Sequence, residues 1–119
     1  NVLRGMHFQQ DPMSQGKLVR VVVGEVYDVV LDIRESSDTY GKWIAEKLSA
    51  ENKNQLWIPE GFAHGFVTLS DEAHLLYKVT NYYSKAHEKV IRYDDPKFNI
   101  SWPRTDVIIS DKDKSEVDN

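Results

Sequence analysis

The chain has 119 residues, of which 40% are hydrophobic and none is cysteine. This length is enough for one domain with a buried core and too short for two. The lack of cysteine excludes a disulfide framework, a thiolate nucleophile and a sulfur-ligated metal centre, and the net charge of -4 argues against general nucleic-acid binding. No apolar run approaches the roughly 20 residues of a membrane-spanning helix, so we expect a cytoplasmic protein without membrane or nucleic-acid partners.

Most of the chain alternates apolar and polar residues, which predicts short antiparallel strands. The first predicted strand covers 17–23 and the second 26–34, and a hairpin through the turn Gly24-Glu25 is the simplest connection between them. Further strands are predicted at 43–48, 55–58 and 73–79.

The second predicted strand has two distinct faces. One face carries Asp28 and Asp32, and the other carries Tyr27, Val29, Leu31 and Ile33. Evenly spaced strands without helical stripes predict an all-β sandwich or barrel, whose mouth forms a cavity for a small molecule. Near the C-terminus, a strand-like piece at 107–109 precedes a charged run at 110–114.

Two motifs predict one enclosed site. The segments RGMHFQ at 4–9 and IPEGFAHGF at 58–66 each place a histidine, His7 or His64, beside glycines and aromatic residues. Glycine lets backbones approach closely, and aromatic side chains exclude water.

A histidine that abstracts protons near neutral pH needs a carboxylate to orient it and an acid to return a proton. Asp113, Asp28 and Asp32 are all candidates for the carboxylate, and Tyr77 is a candidate acid. Taken singly, each of these residues is more commonly structural: a buried tyrosine, a bonded histidine, or, for Asp113, part of a solvated charged run.

A metal site is the alternative use of these histidines. Metal-binding barrels place a second ligand close to the first, but position 9 is Gln9 and position 66 is Phe66. The glycines are also too scattered for a phosphate-binding loop. We therefore expect no metal and no phosphate-loop cofactor.

Longer stretches carry a resemblance to a known family. They are VLRGMHFQ at 2–9, QGKLVR at 15–20, VGEVYD at 23–28, LSAEN at 48–52, WIPEGFAHGF at 57–66, and the YK and NYYS pieces of 77–84. Together they closely resemble the dTDP-4-dehydrorhamnose 3,5-epimerase family along essentially the whole chain.

The resemblance implies a cupin-type jelly-roll barrel of antiparallel strands that acts as a homodimeric isomerase without a cofactor. The implied reaction belongs to dTDP-rhamnose biosynthesis and inverts C3 and C5 of dTDP-4-dehydro-6-deoxy-D-glucose, giving dTDP-4-dehydro-L-rhamnose. Two alternatives remain open. One is a relative that epimerises one carbon of a related dTDP-4-keto sugar or isomerises its ketone, and the other is a non-catalytic cupin that binds a sugar nucleotide.

The resemblance also implies roles for the candidate catalytic residues. His7 corresponds to the base, Asp113 to the carboxylate that orients it, and Tyr77 to the opposing acid. Lys17 corresponds to the cation beside the C4 oxygen, where it stabilises the enolate.

Further positions correspond to binding residues. Tyr83 matches the residue that stacks on thymine across the dimer, and Asp28 supports the site from the barrel wall. The substrate-contacting positions are Arg4, Lys17, His64, Glu88 and Lys112. Residues 1–119 would thus form a single epimerase domain without the N-terminal segment that normally precedes it in the family, which brings full activity and dimerisation into question.

Overall fold

A computed structural model describes residues 1–104 and 106–114. The strands are β1 (Leu3–Gln9), β2 (Lys17–Val23), β3 (Glu25–Asp32), β4 (Trp43–Ser49), β5 (Gln55–Ile58), β6 (Phe62–Thr68), β7 (His74–Val79) and β8 (Glu88–Val90). A 3-10 turn, Lys85–His87, precedes β8, and a four-residue helix, α1 (Asp111–Lys114), follows near the C-terminus. No helix within the described ranges is long and apolar enough to cross a membrane.

The strands form two antiparallel sheets, as expected for an all-β jelly roll. The larger sheet has the order β4-β3-β6-β1-β8, and the smaller sheet has the order β5-β2-β7. Between the sheets, apolar side chains of both pack into one core: Val19, Val21, Val26, Val30, Leu48, Ile58 and Phe66.

The predicted hairpin between the first two strands is wrong. β2 pairs with β5 and β7, whereas β3 pairs with β4 and β6, so the turn carries the chain from one sheet to the other. Gly24 has φ +82° there, and a Cβ on it would lie 1.9 Å from the Glu72 carbonyl oxygen. Placing the two strands in opposite sheets lets the valines of both face the same core.

The alternation predicted for β3 is confirmed. Val29 and Leu31 point to the outer side of the larger sheet, where Met6 and Phe98 complete a second core. Asp28 is on the opposite side with Val26 and Val30, which face the first core. The strand ends at Asp32, two residues earlier than predicted.

Three strands have no counterpart in the sequence prediction: β1, β6 and β8. Glycines interrupt the alternation of apolar and polar residues in β1 and β6. In addition, β6 is buried at five consecutive positions, so it has no solvent-facing polar side that the sequence could reveal. In the predicted piece at 107–109, the structure has only an isolated parallel bridge between Ile108 and Val2. The following charged run contains α1, while residues 105 and 115–119 of this tail lie outside the described residues.

Candidate active site

A cavity of about 360 Å³ lies between the two sheets. Both sheets contribute to its wall, since β1 and β6 belong to the larger sheet and β2 and β7 to the smaller. The lining residues are Arg4, His7, Gln15, Lys17, His64, Gly65, Phe66, Tyr77, Val79 and Tyr83. Six of the predicted site residues therefore line one cavity.

A close approach of β1 and β6 positions the two histidines. The register between these strands shifts between Arg4 and His7, after which His7 lies opposite His64. A Cβ on Gly5, which has φ +136°, would lie 2.6 Å from the Gly65 Cα atom. Only glycine permits this contact, and the irregularity that it allows redirects the side chains that follow on β1.

His7 is bonded to the carboxylate of Asp113. The Nε2 atom of His7 lies 2.6 Å from Asp113 Oδ1, and Asp113 Oδ2 accepts a hydrogen bond of 3.1 Å from the Gly5 amide. Asp113 is only 2% exposed, although it stands in a charged run. A carboxylate on Nε2 favours the tautomer with the proton there, which leaves the lone pair of Nδ1 available to accept a proton.

His64 forms a second histidine-carboxylate pair. Its Nε2 atom lies 2.9 Å from Asp28 Oδ2 and 2.8 Å from Oδ1, and both residues are buried. Asp32, the third candidate partner, binds Arg34, Ser37 and Thr39 instead. Asp28 therefore contacts the cavity-lining His64 but is not itself among the lining residues.

Tyr77 is on β7, across the cavity from the strands that carry the histidines. Its ring meets the His64 ring edge-on, with centroids 6.1 Å apart. Desolvation raises the pKa of Tyr77 to about 12, and the charge of Asp28 acts in the same direction while Arg4 opposes it. The phenol is thus neutral near pH 7 and has a proton to donate.

Lys17 begins β2 and lines the same wall region as Tyr77. Burial lowers the pKa of its ammonium group, and the charges of Glu88 and Asp28 oppose this effect. A partly desolvated cation interacts more strongly with a developing negative charge than a hydrated one does.

The remaining predicted residues, Lys112 and Glu88, connect to Tyr83 at the cavity lining. Lys112 and Glu88 form an ion pair, and the hydrogen bond between their side chains raises the pKa of Lys112. The Tyr83 hydroxyl donates to Glu88 Oε1 at 3.5 Å, and the Tyr83 side chain is 60% exposed. These three residues form one polar cluster, of which Tyr83 lines the cavity.

The sequence analysis missed four lining residues: Gln15, Gly65, Phe66 and Val79. Strand alternation is a signal that could have found one of them. Val79 is two residues after Tyr77 on β7, so it shares a face with a predicted site residue. Within residues 1–104 and 106–114, no group of three or more His, Cys, Asp or Glu side chains is arranged to hold a metal ion.

Comparison with known proteins identifies the family of this chain. The family model described as dTDP-4-dehydrorhamnose 3,5-epimerase matches residues 1–118. The chain belongs to this family. It is 62% identical to the dTDP-4-dehydrorhamnose 3,5-epimerase of Shigella flexneri over 112 residues, which cover 94% of this chain and 62% of that protein. The chain thus spans less than two thirds of the length of this relative.

Solved structures of the epimerase family have the same fold. The crystal structure of dTDP-6-deoxy-D-glucose-3,5-epimerase from Legionella pneumophila, in complex with dTDP-4-keto-L-rhamnose, matches with a TM-score of 0.91 and 52% identity. The match covers 95% of this chain and 60% of that one. ChmJ, a 3'-monoepimerase from Streptomyces bikiniensis, matches with a TM-score of 0.89 and 33% identity over 95% of this chain and 58% of that one. Family membership and the cupin-type fold are therefore confirmed.

Proposed function

We propose that the protein epimerises C3 and C5 of dTDP-4-dehydro-6-deoxy-D-glucose, giving dTDP-4-dehydro-L-rhamnose, without a cofactor. The observation that carries this proposal is that His7, bonded to Asp113, and Tyr77 line one cavity from different sheets. A base and an acid on opposite walls suit a reaction that removes a proton from one face of a carbon and returns one to the other.

Proton removal is assigned to His7. The C4 carbonyl of the substrate acidifies the hydrogens on both neighbouring carbons, so one base serves both positions in turn. The C–H electron pair moves into the enolate while the proton goes to Nδ1 of His7. Asp113, bonded to Nε2, stabilises the imidazolium that results. The imidazolium then releases its proton to solvent, so that His7 is a base again when the second carbon reacts.

Reprotonation is assigned to Tyr77. Its neutral phenol, with a pKa of about 12, gives a proton to the enolate carbon from the opposite face and regains one from solvent. Lys17 stabilises the negative C4 oxygen between the two steps. The buried His64–Asp28 pair orients a further polar group toward the substrate.

The nucleotide portion is assigned to Arg4, Lys112 and Tyr83, and Glu88 is a further substrate-contacting residue. Arginine and lysine suit the diphosphate, and the exposed Tyr83 ring suits stacking on thymine. We further propose a cytoplasmic homodimer, in which Tyr83 contacts the thymine held by the partner subunit. Exposed apolar side chains on the smaller sheet, Trp57 and Leu76, support a protein contact there.

Deuterium incorporation tests the proposed reaction. The protein is incubated with the 4-keto sugar nucleotide in heavy water, and the label is located by NMR. Deuterium at both C3 and C5 is the expected result. The absence of label from both carbons would contradict an enzymatic role and favour a binding module.

A second candidate function is epimerisation of a single carbon. The similarity to ChmJ, a 3'-monoepimerase, favours it, since the same base and carbonyl serve either reaction. Label confined to one carbon in the same experiment would select this candidate.

A further inference from the structure

Helix α1 carries Asp113, and its described part is the single turn Asp111–Lys114. The backbone amides of Asp113 and Lys114 donate to the Ser110 carbonyl, at 3.1 and 3.2 Å. Short helices are unstable in water on their own, because nucleating a helix fixes more dihedral angles than its few hydrogen bonds offset. The position of Asp113 therefore depends on contacts between α1 and the rest of the chain.

Arg92 makes one of these contacts at the C-terminal end of α1. Its Nη1 atom donates a hydrogen bond of 2.6 Å to the Lys114 carbonyl. Its Nε and Nη2 atoms donate to the two oxygens of Asp94 at 2.9 and 3.1 Å. This forked pair fixes the guanidinium plane and so directs Nη1 toward the carbonyl.

Arg92 is also tied to the strand that carries the proposed base. It follows Ile91, which exchanges two backbone hydrogen bonds of 2.9 Å with Met6, the residue between Gly5 and His7. Two contacts therefore hold α1 in place. Asp113 binds Gly5 and His7 on β1. The Lys114 carbonyl binds Arg92, whose neighbour Ile91 is hydrogen-bonded to the same strand.

We propose that Arg92 is a positioning residue, which holds α1 against β1 so that the Asp113 carboxylate stays bonded to His7. Arg92 is absent from the described residues that line the cavity, so it acts through Asp113 and not on the substrate. The ion pair between Lys112 and Glu88 also ties α1 to β8, but these two residues are assigned to substrate binding, which makes Arg92 the cleaner test. The proposal rests on the proposed function in that His7 is the base.

A double-mutant cycle tests the proposal by activity. Arg92→Ala should lower kcat by about tenfold and change KM by less than about twofold, because it disturbs the orientation of the base rather than binding. In an Asp113→Asn background, the same substitution should change kcat by less than about twofold, since the group through which Arg92 acts is already lost. Equal losses in both backgrounds, or no loss in either, would overturn the proposal.

The matched control is Arg104→Ala. Arg104 also donates to a backbone carbonyl, that of Leu69 at 3.0 Å, but not to one in α1. The Arg104→Ala substitution should leave kcat unchanged. If Arg92→Ala does not fold, Arg92→Lys takes its place in the same cycle. Lysine keeps a donor for the Lys114 carbonyl but loses the forked hydrogen bonds to Asp94, so kcat should fall by less than in Arg92→Ala.

An NMR measurement without substrate separates this proposal from the proposed function. In the unmodified protein, the His7 Nε2 proton should give a downfield, slowly exchanging resonance, because it is held by the Asp113 carboxylate. Arg92→Ala should weaken or remove this resonance, and Arg104→Ala should retain it. An unchanged resonance in Arg92→Ala would overturn the positioning role. Absence of epimerisation in the unmodified protein would instead refute the proposed function and leave the NMR comparison valid.

Discussion

Asp113 binds His7 through one carboxylate oxygen, at 2.6 Å, and the Gly5 amide through the other, at 3.1 Å. The same side chain therefore fixes both the ring of His7 and the backbone of the strand that carries it. A third histidine-carboxylate pair, His74 and Glu72, has a similar distance of 2.8 Å, but its side chains are 55% and 70% exposed and are not among the cavity-lining residues. Lower solvent exposure and a place at the cavity, more than the distance between the two side chains, distinguish the pair proposed for catalysis from this exposed pair.

Replacing Tyr77 by phenylalanine should separate the two proton transfers. Tyr77→Phe removes the proposed acid but leaves His7 and Asp113, so substrate hydrogens should still exchange with heavy water while formation of the inverted product falls by about 10²- to 10⁴-fold. Tyr82→Phe, at a position 85% exposed, is the control. A Tyr77→Phe protein that forms product at the normal rate would remove Tyr77 from the mechanism.

The pH dependence of kcat/KM should report the protonation state of Lys17. Burial places the pKa of Lys17 below its ordinary value of 10.5, and the proposed enolate stabilisation needs the protonated ammonium. Activity should therefore fall on the alkaline side as pH rises through that lowered pKa. Lys17→Arg stays charged at high pH and should retain activity there, whereas Lys17→Gln should lose about 10- to 10³-fold at all pH values. A Lys17→Gln enzyme of normal activity would exclude the role.

Tyr83→Ala should weaken the binding of dTDP. Stacking of an aromatic ring on a base contributes about 1–3 kcal/mol, which corresponds to a loss of roughly 5- to 150-fold in affinity. Tyr82→Ala is a matched control, because Tyr82 is adjacent and even more exposed. Titration of dTDP is combined with a mass measurement on each protein, since the stacking is assigned across the dimer. Equal affinities of Tyr83→Ala and the unmodified protein in a confirmed dimer would exclude it.

Asp32 should stabilise the loop between β3 and β4 in a pH-dependent way. Hydrogen bonds from Arg34, outweighing the effect of desolvation, lower the pKa of Asp32, and Thr39 and Ser37 act in the same direction. Because the folded pKa is lower than the unfolded one, this stabilisation is fully present above the ordinary value of 3.8 and is lost as pH falls below it.

Asp32→Asn should therefore lower the free energy of unfolding by about 1–3 kcal/mol at neutral pH. Urea denaturation at pH 7 and at pH 3 measures this difference, which should shrink at pH 3. Asp38→Asn, in the same loop, is the control. A difference that grows as pH falls would contradict the assignment.

The local sequence pattern is sufficient to predict the strands whose two faces differ in polarity. β2, β4 and β5 alternate in burial or polarity and were predicted closely, whereas β6 is buried almost throughout and shows no alternation. The pairing of strands was not predictable in the same way. The sheet to which β3 belongs depends on β6, more than thirty residues along the chain, rather than on the adjacent β2.

The site residues also differ in whether the local sequence identifies them. His7 and His64 were candidates from their motifs, Tyr77 was one from its predicted strand, and Lys17 was one only from the family resemblance. The structure brings all four to the cavity. The pairing of Asp113 with His7 joins positions 106 residues apart, and composition alone places Asp113 in a solvated run. Its burial depends on how α1 docks, which is a tertiary property. The resemblance to a known family selected Asp113 where local pattern could not.

The most direct test of the mechanism is hydrogen exchange in a His7→Asn protein. The substrate is incubated in heavy water with His7→Asn, the unmodified protein and a His74→Asn control, in which an exposed histidine-carboxylate pair is broken. We expect exchange at both C3 and C5 to fall by about 10²- to 10⁴-fold in His7→Asn and to stay normal in His74→Asn. Near-normal exchange at either carbon in a folded His7→Asn protein would contradict the account and make His64 the first candidate for the base.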